Sequence, residues 1–350
     1  MLSQQPFPLG LGPEAFLRHM ADLRTEPPVR VRHQHVVSRV VLRRFGTANP
    51  NGGLEVRAVA LKYGRATRRG VGGCGTVADF VPVASSSAER LWQEVETRLG
   101  DAIDAAEAGT LFSSPEHQLV LRDAVALHFI RSTHTLLLHY NAIAKTWHRL
   151  RSAVIAMASD RLREHFLAVT GLHAVDGWAL EAAFDNLARG SIDEFLGGWG
   201  FRSRVEQNYG RMRAWLTSAS VEVLRTPSEL YISDAPTVLA GAGRTRHGLA
   251  GGLGLIGAEE ILMPLTPHLA ARLSIGNEGY VDIDTAQVEQ LNVGQLVNAY
   301  RFLYAAPHAP VDAFVAQHRT AWRRPVSIEE ARDQVLQLQR TLPHVDQAGP

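Results

Sequence analysis

Side chains that could perform acid–base chemistry occur in three separate stretches of the chain. His35 follows His33 by two residues, so on a strand both imidazoles would project from one face. Arg131 follows His128 by three residues inside an apolar, helical stretch. The third stretch, 233–236, reads Ser-Asp-Ala-Pro and places a hydroxyl and a carboxylate in a tight turn at the end of a predicted strand. These stretches are the candidates for a site.

The histidine and the turn each allow more than one interpretation. His35 could bind a metal, act as a general base, or donate a structural hydrogen bond to the turn at Ser233 and Asp234. Two histidines need a third ligand, and the sequence contains neither a His-Glu-x-x-His motif nor a pair of cysteines, so we predict no metal ligands. Asp234 could orient His35 or act as a base, with Ser233 holding a substrate oxygen. Alternatively, Asp234 closes its own turn.

Arg131 has to find a partner, because an unpaired charge is costly to bury. Its neighbours on the helix are largely apolar, so the side chain cannot simply be left in the core. It either pairs with a carboxylate such as Asp234 or faces a cleft and binds an anion. In the second case we expect His128 to contact the substrate too.

Arginines concentrate locally although the formal net charge is only +1. Such a cluster can neutralise phosphates, so it predicts nucleic acid or a nucleotide as partner, with a solvated surface as the alternative. Residues 252–257 spell the dinucleotide fingerprint G-x-G-x-x-G, but no suitable strand precedes them and no helix follows, so the cofactor stays unknown. The clustered arginines are Arg30, Arg32, Arg39, Arg43 and Arg44, followed by Arg65, Arg68 and Arg69.

Composition indicates a soluble globular protein, with 45% hydrophobic and 20% charged residues. Cys74 is the only cysteine, which excludes an intramolecular disulfide and a multi-cysteine zinc site. The first residues lack a basic segment followed by an apolar core, and no apolar run is long enough to span a bilayer. We therefore expect a cytoplasmic location and no membrane partner.

The order of predicted elements is typical of an α+β fold. We predict a mixed β core from residues 32–63 and 221–305, a long central helical block and a helical C-terminal tail. Ser114 and Pro115 are a helix start, and a helix break is expected near 145–150. We expect residues 1–31 to form a Pro-flanked arm and residues 32–305 to form a single domain with a helical insertion at about 114–215. Residues 306–350 are predicted to form a tail, whose helix begins with a capping box at Ser327.

Four stretches in order resemble an uncharacterised bacterial and fungal family, a domain of unknown function. The family's opening His-x-Val-Pro…Leu-x-x-Phe pattern is similar to residues 35–45, and its central Arg-Thr-Pro to 131–133. Its Ser-Asp-x-Pro is intact at 233–236, its Pro-Leu-Ser-Pro is similar to 264–267, and an Asn-bearing helix near its end resembles 291–304, which includes Asn292. The resemblance covers about 32–305 and brings no established reaction.

Two functional hypotheses follow. The first is an enzyme acting on a phosphate-containing substrate, most simply a hydrolase of the nuclease type that serves as an effector of bacterial defence or as a toxin. In it His35 and Asp234 do the acid–base work, Arg131 stabilises developing negative charge and Ser233 positions the substrate. The residues predicted to contact substrate are Arg39, Arg43, His128 and Asn292.

The alternative hypothesis is a non-catalytic binding or assembly module. The same polar residues would then form a buried structural network, and the N-terminal arm or the tail after Pro307 would contact a protein partner. The sequence leaves the oligomeric state open.

Overall fold

A computed structural model describes residues 13–25, 30–175, 177–241, 258–276 and 278–340. It confirms the predicted α+β class. The helices are α1 (Pro13–Arg24), α2 (Arg39–Arg44), α3 (Ser85–Glu107), α4 (Pro115–Ile130), α5 (Thr133–Met157), α6 (Ser159–Thr170), α7 (Gly177–Leu196), α8 (Trp199–Leu216), α9 (Thr285–Asn298), α10 (Val311–Gln317) and α11 (Ile328–Arg340). The strands are β1 (His33–His35), β2 (Thr47–Ala48), β3 (Leu54–Ala60), β4 (Arg65–Gly70), β5 (Thr76–Ala78), β6 (Ser220–Arg225), β7 (Ile232–Ser233), β8 (Val238–Ala240), β9 (Glu260–Thr266), β10 (Leu269–Ser274), β11 (Gly279–Asp282) and β12 (Phe302–Ala305).

The chain divides into two units. The first takes the described parts of Met1–Thr135 and Ser203–Pro325, and the second those of Leu136–Arg202 and Val326–Pro350. The stretch predicted as a helical insertion, 114–215, therefore contributes to both units, and so does the predicted tail. The G-x-G-x-x-G stretch at 252–257 lies outside the described residues.

The strands of the first unit form three sheets. One has the order β11-β6-β10-β9-β8 and is antiparallel apart from the parallel pair β11 and β6. Another has the order β2-β3-β12-β7, with β4 also paired to β3. β1 and β5 form a small antiparallel pair. Since β7 belongs to the second sheet and β8 to the first, the turn at 234–237 carries the chain from one sheet to the other.

The central helical block breaks at Arg131 and Ser132. The predicted start is confirmed, because the Ser114 hydroxyl accepts from the N–H of His117 and Pro115 is the first helical residue of α4. The break predicted near 145–150 is wrong, since α5 continues through it. The hydroxyl of Ser132 donates to the Phe129 carbonyl at 2.9 Å and accepts from the N–H of Thr135 at 3.4 Å, which ends one helix and starts the next.

The second unit is helical. Its core is formed by α6, α7 and α11, with buried side chains that include Leu162, Phe166, Phe184 and Val335. The predicted capping box is confirmed: the Ser327 hydroxyl accepts from the Glu330 N–H at 3.0 Å, and the Glu330 carboxylate accepts from the Ser327 N–H at 2.8 Å. In the part of the chain that the structure describes, no helix has the length and apolarity that crossing a bilayer requires.

Candidate functional site

His35 lies at the end of β1 with one ring nitrogen unpaired. The backbone of Gly72 lies close enough to the ring to favour its protonated form. Nε2 is inaccessible to solvent and has no hydrogen-bond partner among the described residues. Burial, and then the positive charges of Arg131 and Arg39, lower the pKa of His35, while Glu96 and the Gly72 backbone oppose this. The imidazole is therefore neutral at pH 7.

Arg131 terminates α4 and is 1% exposed. Its Nη2 donates to Oε1 of Glu96 at 2.6 Å, and its guanidinium lies 5.0 Å from the ring centre of Trp92. Its Nε has no partner within the described chain. Arg131 thus does pair with a carboxylate, but the predicted pairing with Asp234 is wrong. Glu96, on the adjacent helix α3, takes that place, because α3 packs along α4.

A hydrogen bond to His128 connects the turn after β1 to α4. The backbone N–H of Ser38 donates to Nε2 of His128 at 3.0 Å, so the ring proton lies on Nδ1, which donates to the Ala124 carbonyl at 2.7 Å. Burial lowers the pKa of His128 to about 4. With no exposed surface and both nitrogens bonded, His128 holds the backbone in place; the substrate contact predicted for it does not fit this geometry.

Ser38 also joins α2 to Glu96. Its hydroxyl accepts from the Val40 N–H at 3.2 Å, which caps α2, and it is hydrogen-bonded to the Glu96 carboxylate. Burial pushes the pKa of Glu96 upward. The charge and hydrogen bond of Arg131 and the Ser38 hydroxyl outweigh this effect and hold that pKa below its usual value. Glu96 is therefore ionised at neutral pH.

Glu89 brings a second carboxyl group to the same place. Glu89, Trp92 and Glu96 recur at spacings of three and four residues and so share one face of α3. The Oε1 atom of Glu89 is buried and lacks a hydrogen-bond partner in the described structure. Burial raises its pKa to about 7; Arg131 opposes the rise and Glu96 adds to it. We call His35, Glu89, Trp92, Glu96 and Arg131 the histidine–arginine cluster.

Neither glutamate of this cluster was predicted from the sequence. The available signal was the spacing of Glu89 and Glu96, three residues before Trp92 and four after it, which places all three on one face of a helix. That spacing became informative only once α3 was known to lie against α4.

Two exposed arginines lie on α2, next to the histidine–arginine cluster. Arg39 contributes positive charge at His35, and its Nη2 would lie 4.0 Å from a Cβ placed on Gly72. Arg43 follows four residues later, on the same side of the helix, and is also exposed. Arg44 is instead engaged with Asp104 and Glu107 of α3. The predicted substrate contacts at Arg39 and Arg43 are thus sterically available.

Asp234 lies in a different hydrogen-bond network, in which both of its carboxylate oxygens are bonded. Its carboxylate accepts from the backbone N–H groups of Tyr300 at 2.8 Å, Arg301 at 2.8 Å and Phe302 at 3.1 Å. Burial raises its pKa to about 6, and these three N–H groups oppose the rise. Asp234 thereby ties the turn to the start of β12. This geometry is that of a structural anchor.

Three side-chain amides of α9 bind the backbone around the same turn. They recur every three residues, at Asn292, Gln295 and Asn298, and we call them the amide ladder. Asn292 accepts from the Tyr231 N–H at 2.7 Å and Gln295 from the Ser233 N–H at 3.0 Å. Asn298 donates to the Ala235 carbonyl at 2.6 Å. Asn292, predicted to contact substrate, is buried and holds a strand instead.

Ser233 is bound to the amide ladder. Its hydroxyl donates to the Ala235 carbonyl and the Gln295 Oε1 at 2.8 and 2.9 Å, and it is fully buried. The hydrogen bond from His35 to this turn, one of the interpretations of that residue, is not formed: Ser233 and Asp234 bond to Gln295 and to the backbone instead. The predicted site is therefore divided: His35 and Arg131 lie together, whereas Ser233 and Asp234 lie in the anchor.

Gly75 and Tyr304 link the two networks. The Tyr304 hydroxyl accepts from the Gly75 N–H at 3.0 Å, and the Gly75 carbonyl accepts from the N–H groups of Val36 and Val37, which follow His35. The charge of Asp234 helps to raise the pKa of Tyr304. The anchor thus supports the backbone that carries His35.

The described residues contain no group of three or more His, Cys, Asp or Glu side chains placed to hold a metal ion. Cys74 is buried, and burial raises the pKa of its thiol to about 11.

Most of the chain matches a known protein family. A family model described as a protein of unknown function (DUF4238) matches residues 33–309 of the 350. Neither a curated protein nor a solved structure matches the chain.

Proposed function

Because the chain belongs to the DUF4238 family of proteins of unknown function, its reaction has to be argued from its residues, and we propose that it is a hydrolase of phosphate esters. We place the reaction at the histidine–arginine cluster and the activity in the nuclease class, as an effector of bacterial defence or a toxin acting in the cytoplasm. Arg39 and Arg43 would meet the phosphates.

One observation carries this proposal. Three buried polar atoms of the histidine–arginine cluster lack hydrogen-bond partners in the described structure. One is Nε of the Arg131 guanidinium, and the others are Nε2 of His35 and Oε1 of Glu89, whose pKa values respond to the charge of Arg131. Each such atom costs about 1–3 kcal/mol. Orphaned groups of this kind call for a specific explanation, and a catalytic site is a common one. The Asp234 carboxylate has no such deficit, although other buried atoms of the first unit, such as Oδ1 of Asn298 and Oγ1 of Thr133, also lack partners among the described residues.

The chemistry follows from the protonation states. A neutral imidazole carries one proton and one lone pair, and we assign the lone pair to Nε2, which has no hydrogen-bond partner among the described residues. Solvent does not reach Nε2 in this structure, so the substrate has to bring the attacking water to it; Nε2 then takes a proton from that water as the general base. Arg131 is buried and fixed by Glu96, so it stabilises the negative charge that develops on the phosphate through its field.

The exposed arginines favour nucleic acid over a small phosphate ester. Arg39 and Arg43 are exposed on α2, and Arg65, Arg68 and Arg69 are exposed along β4. A polyanion can contact several of them at once. The turn residues Ser233 and Asp234, together with Asn292, serve as structural support in this proposal.

The test compares His35→Gln with His33→Gln, a control two residues earlier on the same strand whose side chain is exposed. Wild type and both variants are incubated with fluorescently labelled single-stranded DNA and RNA, with and without Mg²⁺. We expect His35→Gln to lose roughly 10²–10⁴-fold in rate with an unchanged melting temperature, and His33→Gln to behave like wild type. Absence of cleavage by wild type under every condition, or equal rates for all three, would overturn the proposal.

The amide ladder favours a second candidate function. Its side-chain amides bind the Ser233 hydroxyl and the backbone around the turn, as expected of the buried network in a non-catalytic assembly module. In that case the N-terminal arm or the C-terminal tail would contact a protein partner. An inactive wild type that elutes in a complex with a partner through residues 306–350 would support this candidate.

A further inference from the structure

We infer that Glu89 is the general acid of the proposed reaction and protonates the oxygen that leaves the phosphate. This inference rests on the proposed function and adds a residue to it. Glu89 is partly exposed, whereas Arg131 is 1% exposed, so the carboxyl group can reach a substrate that the guanidinium cannot.

The two glutamates of the cluster have different surroundings although they share a helix face. Glu96 has two hydrogen-bond partners: its carboxylate accepts from Arg131 at 2.6 Å and is hydrogen-bonded to the Ser38 hydroxyl. Glu89 receives no hydrogen bond at its buried oxygen from the described residues. Two carboxyl groups in such contrasting environments separate into an ionised and a protonated partner, the arrangement used for acid catalysis near neutral pH.

The groups facing Glu89 come from each element packed around the cluster. Arg131, at the end of α4, favours the carboxylate form of Glu89, while Glu96 on α3 disfavours it. His35 on β1 is neutral, and His128 on α4 stays neutral down to about pH 4. Arg39 on α2 lowers the pKa of His35 and is not among the charges that shift the pKa of Glu89. Burial decides the balance, so that Glu89 holds its proton up to about pH 7.

The reaction balances without a further reactant. Nε2 of His35 removes one proton from water as the water oxygen bonds to phosphorus. The bond from phosphorus to the leaving oxygen breaks, and that oxygen takes the proton of Glu89. The products are a phosphate monoester, an alcohol, an imidazolium and a carboxylate. Proton exchange with solvent then restores both side chains.

A leaving-group comparison tests the role of Glu89. Glu89→Gln is compared with Glu94→Gln, an exposed position on α3 that receives the same substitution. Nucleic acid has a poor alkoxide leaving group, whereas bis(p-nitrophenyl) phosphate releases a p-nitrophenolate that needs no proton. We expect Glu89→Gln to lose roughly 10²–10⁴-fold on nucleic acid and less than about tenfold on the nitrophenyl ester. His35→Gln should lose activity on both substrates.

The pH profile is the second arm. In wild type, activity on nucleic acid should fall above about pH 7 as Glu89 ionises, and Glu89→Gln should lack this alkaline limb. Equal loss on both substrates, no loss on either, or a retained limb would overturn the role of Glu89 while the hydrolase proposal stands. A wild type inactive on both substrates would overturn the two together.

Discussion

The backbone N–H of Ser38 donates to Nε2 of His128 at 3.0 Å, so this buried ring must stay neutral for the turn after β1 to keep its place. The folded protein holds the pKa of His128 at about 4, against 6.5 for the free side chain. Between pH 4 and pH 6.5, His128 is protonated in the unfolded chain and neutral in the folded chain. The contribution of the neutral His128 ring to the free energy of unfolding is therefore complete above pH 6.5 and is lost as the pH falls towards 4.

We predict that this histidine makes the free energy of unfolding drop by about 3 kcal/mol between pH 7 and pH 4. Burial also lowers the pKa values of His35 and His134, which adds to the drop, whereas the raised pKa values of Glu89 and Asp234 oppose it, so the contribution of His128 is read from the difference between wild type and His128→Gln. Urea unfolding at several pH values measures it. In His128→Gln the amide oxygen can still accept from Ser38, and the curve should be flatter. An equally steep curve would contradict the assignment.

Arg131 and Glu96 should behave as an energetically coupled pair. Arg131→Met leaves Glu96 buried without its counter-ion, and we expect a loss of about 2–3 kcal/mol, less than for a fully enclosed pair because Glu96 is 25% exposed. The double variant Arg131→Met with Glu96→Met should lose less than the sum of the two single variants. Chemical unfolding of all four proteins completes the cycle. Strict additivity would show that the contact carries no net energy.

Gly75 should not tolerate a side chain. Its φ is +62°, and a Cβ there would lie 2.8 Å from Cβ of Val37 and 3.1 Å from Cδ1 of Leu42. Gly64 has φ +63°, and a Cβ there would meet nothing within 4 Å. Gly64→Ala should therefore cost about 1 kcal/mol through strain alone, and Gly75→Ala about 3 kcal/mol or more. Similar melting temperatures for the two variants would contradict the close packing at Gly75.

Asp234→Asn should lower stability rather than catalysis. The new amide would point N–H groups at the N–H groups of residues 300–302, and we expect a loss of about 3 kcal/mol. Asp101→Asn, at an exposed position of α3, is the control. Thermal unfolding and nucleic-acid cleavage are measured on the same samples. A variant that melts like wild type yet is inactive would return Asp234 to the catalytic role predicted from sequence.

The arginines of α2 should determine how binding responds to salt. Replacing Arg39 and Arg43 with Ala is expected to weaken binding of labelled single-stranded DNA. The slope of log K against log salt should fall by about 0.7 for each phosphate that these arginines no longer neutralise. Arg163→Ala, 54% exposed in the second unit, should leave the slope unchanged. Equal slopes for all variants would place the nucleic-acid surface elsewhere.

The sequence was most informative where a local pattern determines a local structure. Ser114-Pro115 and the Ser327 capping box begin helices as predicted. Such signals work because the partners are a few residues apart.

Long-range pairings could not be predicted in the same way. Arg131 needed a carboxylate, and nothing in the sequence distinguishes Glu96 from Asp234 as its partner, because the choice depends on how α3 packs against α4. Ser132 ends a helix whose apolar pattern continues past it, since its hydroxyl competes for the backbone. Of the residues in the proposed site, His35 and Arg131 were predicted from the sequence, and Glu89 was not.

The hydrogen bond between Gly75 and Tyr304 spans 229 positions along the chain. Closing so long a loop is entropically unfavourable, whereas α3 and α4 are neighbours in sequence and can associate early. We therefore expect the backbone behind His35 to reach its final conformation late in folding. For the proposed nuclease this order would act as a safeguard, since catalytic competence would arise only after nearly all of the first unit has assembled.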